Sequence, residues 1–418
     1  MPYVINVFSS WPTYASWNDL KNWLVSADGG LLRVVEPPNS PYAIVRYNKA
    51  KSNMSMPHVP WCRSVVVHKE TRLPVCVSPP QSCPLTDECV NEATVAEEFV
   101  DGSMVNIFHS ASDEKPVVTT RGRLGADKSF YLNGPSFTSM LEDSMTAMGV
   151  ACFADMLPNE GFNHFTSIVL QHPSNRIVKK YENPSFVIAH QGWVNADGSV
   201  FIEEDASKFN YVSSIESDAS EIQPYNLESV RSARTVKDWV TAQGLERGLG
   251  WQGLVLKDGK GKRWRLRSDV YETIHTLRGN ESTHEERYAR LRKSRNVDQY
   301  LAFYNEDSER FYVLEGLLRK NTRQLSYFYS DVFRTRKVQY YELPWPYKHH
   351  VSVLHNYYKN TLRAEKKRMD LSEVVKYVNS LSVEDTTNML KEHKLELKKS
   401  VPALEPVPSE VAVEETLA

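Results

Sequence analysis

The chain has 418 residues, 41% hydrophobic and 24% charged, with 50 Lys and Arg against 52 Asp and Glu for a formal net charge of −2. That length exceeds what one hydrophobic core usually serves, so two domains are expected; a near-zero net charge neither favours nor excludes nucleic acid, because distribution matters more than the sum. No apolar run approaches the roughly 20 residues needed to cross a bilayer, and Met1–Trp17 has neither the basic start nor the unbroken apolar stretch of a secretion signal, so no membrane association and a soluble, cytoplasmic protein are expected.

Residues 1–95 alternate short apolar segments with turn clusters. Ile44-Val45 and Val65-Val66-Val67 read as strands, interrupted by the Ser- and Pro-rich stretch Ser78–Ser82. Cys62, Cys76, Cys83, Cys89 and Cys152 form an odd set whose spacing is looser than the pairs of zinc modules, so reduced thiols are expected. Residues 96–275 continue with β-like runs at Met104–Phe108, Pro116–Thr120, Ser167–Leu170 and Ser185–Ile188, and a helix from Ser136 to Met148. Strands and helices interleave without a strict βαβ repeat, which predicts an α+β fold rather than a doubly wound sheet.

Beyond about residue 280 the apolar period changes from two to between three and four. Phe311, Leu314, Leu318, Leu325, Phe328 and Val332 fall on one stripe of a long helix, and Val351, Leu354, Tyr358 and Leu362 on another. Asp370 and Glu373 have capping-box spacing ahead of Val374, Val375 and Val378. The expected organisation is an α+β domain over 1–279, an all-α domain over 280–396 and a disordered acidic tail over 397–418, whose Pro and Glu content cannot bury enough apolar surface to fold.

The segment richest in chemistry is Trp251–Lys257 followed by Asp258-Gly259 and then Lys260, Lys262, Arg263, Arg265 and Arg267. Residues two apart on a strand share a face, so Arg263, Arg265 and Arg267 present three guanidiniums on one side. Such a row suits phosphates, with which guanidinium pairs bidentately; a charged edge strand that resists aggregation explains it equally well.

Gln252-Gly253-Leu254-Val255, with Asp258-Gly259 and Arg265-Leu266-Arg267-Ser268-Asp269-Val270-Tyr271, resembles the Glu-Gly-x-Val and Lys-x-Lys-Ser-Asp-x-Tyr motifs of phage-type RNA ligases. Other blocks occur in that family's order: Arg63-Ser64-Val65-Val66 with Pro74–Gln81, Asp101-Gly102-Ser103, Thr120-Arg121, and Pro173-Ser174-Asn175-Arg176-Ile177-Val178. The chain is also similar to the divergent ligase-like proteins of large DNA viruses, in Leu277–Asn280 and the helical C-terminal part; the viral resemblance implies host cytoplasm or virion.

The resemblance implies a nucleotidyltransferase (ATP-grasp-like ligase) domain with mixed antiparallel sheets, and ATP- and Mg²⁺-dependent RNA ligase-like chemistry with RNA or another polynucleotide end as partner. It implies nucleotide contacts from Arg63, Asp101, Gly102, Ser103, Arg121, Gln252, Gly253, Lys257, Arg263, Arg265 and Arg267, with Asp101 also a metal ligand. In that family a lysine amine attacks the α-phosphate of ATP. Here the residue two before Asp101 is Phe99, which forms no phosphoramide; Gln252 stands where the family has Glu, Gln81 where it has Lys, and Arg265 and Arg267 where it has two lysines. Either Lys49 or Lys51, after the strand around Ile44-Val45, serves as a relocated nucleophile, or the fold keeps its nucleotide or RNA cleft without self-adenylylation. Capping guanylyltransferase shares the lysine chemistry, but the Asn175–Val178 block points to ligases.

Smaller signals have plain readings. His172 is expected to be structural, Asn280 to cap the next helix, and His349-His350 to be solvated. The run Arg287, Arg290, Arg292, Lys293, Arg295, with Arg287, Arg290 and Lys293 as i,i+3 neighbours, either extends an RNA-facing surface or belongs to an ordinary amphipathic helix, and Tyr357, Tyr358 and the tyrosines near 326–341 are expected in core packing.

Overall fold

Period-two patterning in the first part of the chain resolves into three sheets among the described residues. The computed structural model describes residues 2–110, 113–130, 134–158, 163–204 and 222–400, and the chain divides into two units, Met1–Arg278 and Gly279–Ala418. A seven-stranded antiparallel sheet runs in the order Tyr3–Ile5, Val200–Glu203, Ser185–Val194, Asn163–Gln171, Ser103–Ser110, Val117–Thr120, Arg123–Leu124. A five-stranded sheet has the order Pro224–Tyr225, Val95–Glu98, Gly253–Lys257, Arg263–Arg267, Cys83–Pro84, its last pair parallel. The third sheet is an antiparallel meander of Arg33–Val35, Tyr42–Arg46, Val65–His68 and Pro74–Val77.

The central strands of the seven-stranded sheet are apolar on both faces because both are covered. One face takes Met140, Leu141 and Met145 of the helix Phe137–Ala147 against Val105, Ile107, Ile168 and Ile188. That helix starts where the sequence signals it, with the Ser136 hydroxyl accepting from the Ser139 amide. The other face packs Phe108, Phe165 and Val194 against Val65, Val66, Val67 and Val75 of the meander. A separate core forms where Trp251, Leu254, Leu256 and Trp264 meet Val236 and Val240 of the helix Val236–Arg247. All five cysteines are free, with Cys62 and Cys76 buried.

The second unit is helical. The helix Ser308–Phe333 buries Phe311, Leu314, Leu318, Leu325 and Tyr329; Phe328 and Val332 are only half-buried, because 3.6 residues per turn carries the stripe to Tyr329. Asp370 caps Leu371–Ser380 as expected, whereas Thr283, not Asn280, caps His284–Lys293 by accepting from the Glu286 amide. The basic run is partly engaged within its own unit, with Lys293 and Arg295 exposed. Arg287 is buried, Arg290 pairs with Glu281, and the Lys293 amine donates to the carbonyls of Ser380 and Leu381 at 2.9 Å. His350 is buried and bonded to the Tyr377 hydroxyl rather than solvated. Of the tyrosines expected in the core, Tyr329 is buried but Tyr327 and Tyr341 are exposed. The helix Val383–Ser400 continues through 397–400, where the tail was expected to begin; the remainder of that tail lies outside the described residues. Among the described residues no helix is long and apolar enough to cross a membrane.

Candidate functional site: a cationic cleft between the sheets

Register on the five-stranded sheet decides which side chains meet. Glu97 and Arg265 both lie opposite Val255, Arg263 lies opposite Lys257, and Arg267 opposite Gly253. Cross-strand partners and residues two apart share a face, so Glu97, Lys257, Arg263, Arg265 and Arg267 project on the same side. That side lines a cavity of about 190 Å³, closed by Arg63 and Pro79 beyond the meander strands and by Gly102, Met104, Val169 and Ala189 on the seven-stranded sheet.

The chemistry within this cleft is divided. Its inner end is neutralised: the Lys257 amine lies 2.8 Å from Glu97 and 3.0 Å from Glu204, and Arg263 lies 3.4 and 3.6 Å from the same two carboxylates. The Tyr3 hydroxyl also donates to Glu204, at 3.1 Å. Burial by itself would raise the Glu204 carboxyl, but attraction to Lys257 and Arg263 outweighs it and brings the group down to about 2. His190, fully buried beside this network, is held neutral, pushed down to about 3 chiefly by desolvation. Lys257 and Arg263, expected to contact nucleotide, are therefore committed to internal counterions. Glu97 and Glu204 were missed in the sequence; the signal was Lys257 itself, since a lysine ending an all-buried strand needs an acid.

At the other end stands Phe99. Its amide donates to the Gly253 carbonyl at 2.9 Å, and its ring is contacted by the guanidiniums of Arg265 and Arg267, each 5.5 Å from the centroid. Arg267 is further bound by Glu272 at 2.8 Å. Gln252, with its amide oriented to satisfy both ends, donates to the Val100 carbonyl at 2.9 Å and accepts from Arg267 Nε at 3.1 Å. Gly253, at φ 145°, has no room for a side chain: a Cβ there would lie 2.1 Å from the Leu266 carbonyl oxygen.

Asp101 sits beneath this surface, only 3% exposed. One carboxylate oxygen accepts from the amides of Val178 and Lys179, at 3.0 and 2.8 Å, and the other from the Tyr271 hydroxyl at 2.9 Å. The Asn175–Val178 block thus wraps Asp101, and Asn175 donates to Ser103 Oγ at 2.8 Å. Gln171 and Tyr181 complete the set by donating to the Asp101 carbonyl, at 3.3 and 2.7 Å. Asp101 and Ser103 are therefore held by the chain itself, and Gly102 lets the backbone approach Leu170, whose carbonyl oxygen is 2.5 Å from the position of an added Cβ. His172 is structural as expected, accepting from the Ser174 amide.

The open cations are Arg63, Arg121, Arg265 and Lys49. Arg121 donates from Nε to the Arg63 carbonyl at 3.4 Å and stacks 5.2 Å over the Tyr47 ring. Burial holds the Arg63 guanidinium down at about 10, still charged at neutral pH. Lys49 is held below the ordinary lysine range by desolvation and by the fields of Arg265, Arg121, Arg63 and Arg267. Lys51 is an exposed residue of the same turn. The donor set suits phosphate and fits a chain-held Mg²⁺ poorly: among the described residues no three His, Cys, Asp or Glu converge, and Asp101, Glu97 and Glu204 already have partners.

No protein-family model matches the chain, and no curated protein does. Among solved structures the chain is similar to two lysine-to-alanine variants of Naegleria gruberi RNA ligase, each with ATP and Mn. The first is 13% identical with a TM-score of 0.33, covering 48% of this chain and 58% of that one. The second is 13% identical with a TM-score of 0.30, covering 46% and 54%. The chain thus spans just over half the length of the structures it matches.

Proposed function

We propose that the first unit is an RNA-ligase-like nucleotidyltransferase fold that binds a nucleotide or a phosphorylated RNA end without forming a covalent adenylate at position 99. The carrying observation is the Phe99 ring 5.5 Å from the guanidiniums of both Arg265 and Arg267, where a nucleophilic amine would have to stand. A phenyl ring has no lone pair to attack phosphorus, yet it holds two guanidiniums in the cleft by cation–π attraction. With Lys257 and Arg263 neutralised, Arg63, Arg121 and Arg265 carry the affinity for phosphate. Any Mg²⁺ then arrives with the nucleotide, since Asp101 is occupied by three donors.

A second reading keeps ATP-dependent transfer with Lys49 as nucleophile. It is favoured by desolvation and then by the surrounding arginines, which shift that amine toward its neutral, nucleophilic form. One experiment separates the two. The chain is incubated with α-labelled ATP or GTP and Mg²⁺, acid-labile and alkali-stable label is measured, and binding of ATP and 5′-phosphorylated RNA is followed against salt. The expected result is no covalent label, with salt-sensitive binding weakened at least tenfold by Arg265→Gln. Label that disappears in Lys49→Ala selects the second reading. Absence of both label and binding removes the two together.

A further inference from the structure

Like charges face each other directly where Arg33–Val35 pairs with Tyr42–Arg46: Arg33 is the cross-strand partner of Arg46. Side chains so placed share a face roughly 5 Å apart, and two cations there repel unless an anion lies over them. Arg46 is half-buried, and its Nη1 lies 2.5 Å from where a Cβ on Gly122 would be, so the guanidinium packs against the hairpin turn that carries Arg121. Arg63 stands at the same end of the sheet, two residues before the Val65–His68 strand that pairs with Tyr42–Arg46. Desolvation, then the fields of Arg33 and Arg121, hold the Arg46 guanidinium below its ordinary range. Among the described residues none of Arg33, Arg46, Arg63 and Arg121 has an ion pair. Lys257, Arg263 and Arg267 each have a carboxylate within 4 Å.

We infer that Arg33, Arg46, Arg121 and Arg63 form a track for the sugar–phosphate backbone of an RNA strand whose end enters the cleft, so that the ligand is a polynucleotide rather than a free nucleotide. This rests on the reading of the cleft as a phosphate site. Guanidinium recognises phosphate bidentately, and four of them without an intervening acid complement a repeating anion. A mononucleotide held by Arg63 and Arg265 leaves the Arg33–Arg46 pair unused. The repulsive pair beside the cleft complements a polyanion, since its neutralisation on binding adds to affinity.

The full-length chain is titrated by fluorescence anisotropy with a labelled 5′-phosphorylated 12-nucleotide RNA, a 5′-phosphorylated dinucleotide and an ATP analogue. In Arg33→Gln/Arg46→Gln the 12-mer is expected to bind at least tenfold more weakly. Its plot of log K against log salt should flatten by ~1.4, for two phosphate contacts at roughly 0.7 each. The two short probes should bind as before, and the urea midpoint should stay or rise, because a repulsion is gone. Unchanged 12-mer affinity, or an equal loss for ATP, overturns the track. So does polyglutamate of equal charge displacing the 12-mer as well as RNA does. If Arg265→Gln instead leaves the short probes unaffected while the double variant still weakens the 12-mer, the cleft reading fails, and with it the entry of the RNA end, while the four arginines keep only their contact with the strand.

Discussion

Replacing Lys257 with methionine keeps most of the side-chain volume and removes a cation 2.8 Å from Glu97 and 3.0 Å from Glu204. The two carboxylates are then left with one guanidinium, Arg263, at 3.4 and 3.6 Å. Breaking a buried pair in this way costs about 3–5 kcal/mol, because the orphaned charge stays desolvated. At a urea dependence of about 3 kcal/mol per molar, the midpoint falls by roughly 1–1.7 M. Tryptophan fluorescence reports this unit selectively: of nine tryptophans, only Trp345 lies beyond Arg278. Adding Glu204→Gln to Lys257→Met restores the charge balance, and the cycle should give a coupling of about 2 kcal/mol or more. The pH dependence has a definite sign. Glu204 titrates at about 2 in the folded chain, below the ordinary 4.5, so its contribution is fully present above about pH 4.5 and is lost as pH falls toward 2. That acid-induced loss should shrink in Lys257→Met. If the variant loses under about 1 kcal/mol, well short of a broken buried pair, and instead binds ATP or RNA less tightly, Lys257 is a phosphate ligand and the counterion argument is refuted.

Asp101→Asn removes the charge on which three donors converge and puts an NH2 group where the Tyr271 hydroxyl or the Val178 and Lys179 amides now donate. A loss of about 2–3 kcal/mol in urea unfolding is expected, with or without metal present; a variant of unchanged stability that loses metal-dependent nucleotide binding would restore Asp101 as a ligand. Arg287→Met removes a side chain that donates to the Glu281 carbonyl at 3.0 Å and the Tyr300 hydroxyl at 3.4 Å. The second unit should lose about 3 kcal/mol, as for a broken buried pair, by circular dichroism melting. RNA affinity should not change; a fall in RNA affinity without a fall in melting temperature would return Arg287 to the surface.

Local patterning along the chain dictates the α+β character of the first part, the helical character of the second, and the arginine-rich strand. Each is written locally, in period-two or period-3.6 apolar patterning and in alternation along a single strand. The Asp370 cap was legible for the same reason, since a cap is a contact across three residues. The absence of an amine at Phe99 was likewise plain from one position.

Only the tertiary structure decided what the charged residues do. Arg263, Arg265 and Arg267 are equivalent on the strand, yet Arg263 meets Glu97 and Glu204, Arg265 and Arg267 flank Phe99, and Arg267 is also paired with Glu272. Glu97 and Glu204 come from segments more than fifty residues away, and no periodicity records a partner that far off, whereas Glu272 is only five residues from Arg267. Arg287 shows the reverse, a surface-like residue type turned inward to Glu281, whereas Lys293 stays exposed while donating to the carbonyls of Ser380 and Leu381. Charge is a local property of the chain, but the freedom of a charge to meet a ligand depends on which opposite charge the fold has already brought beside it.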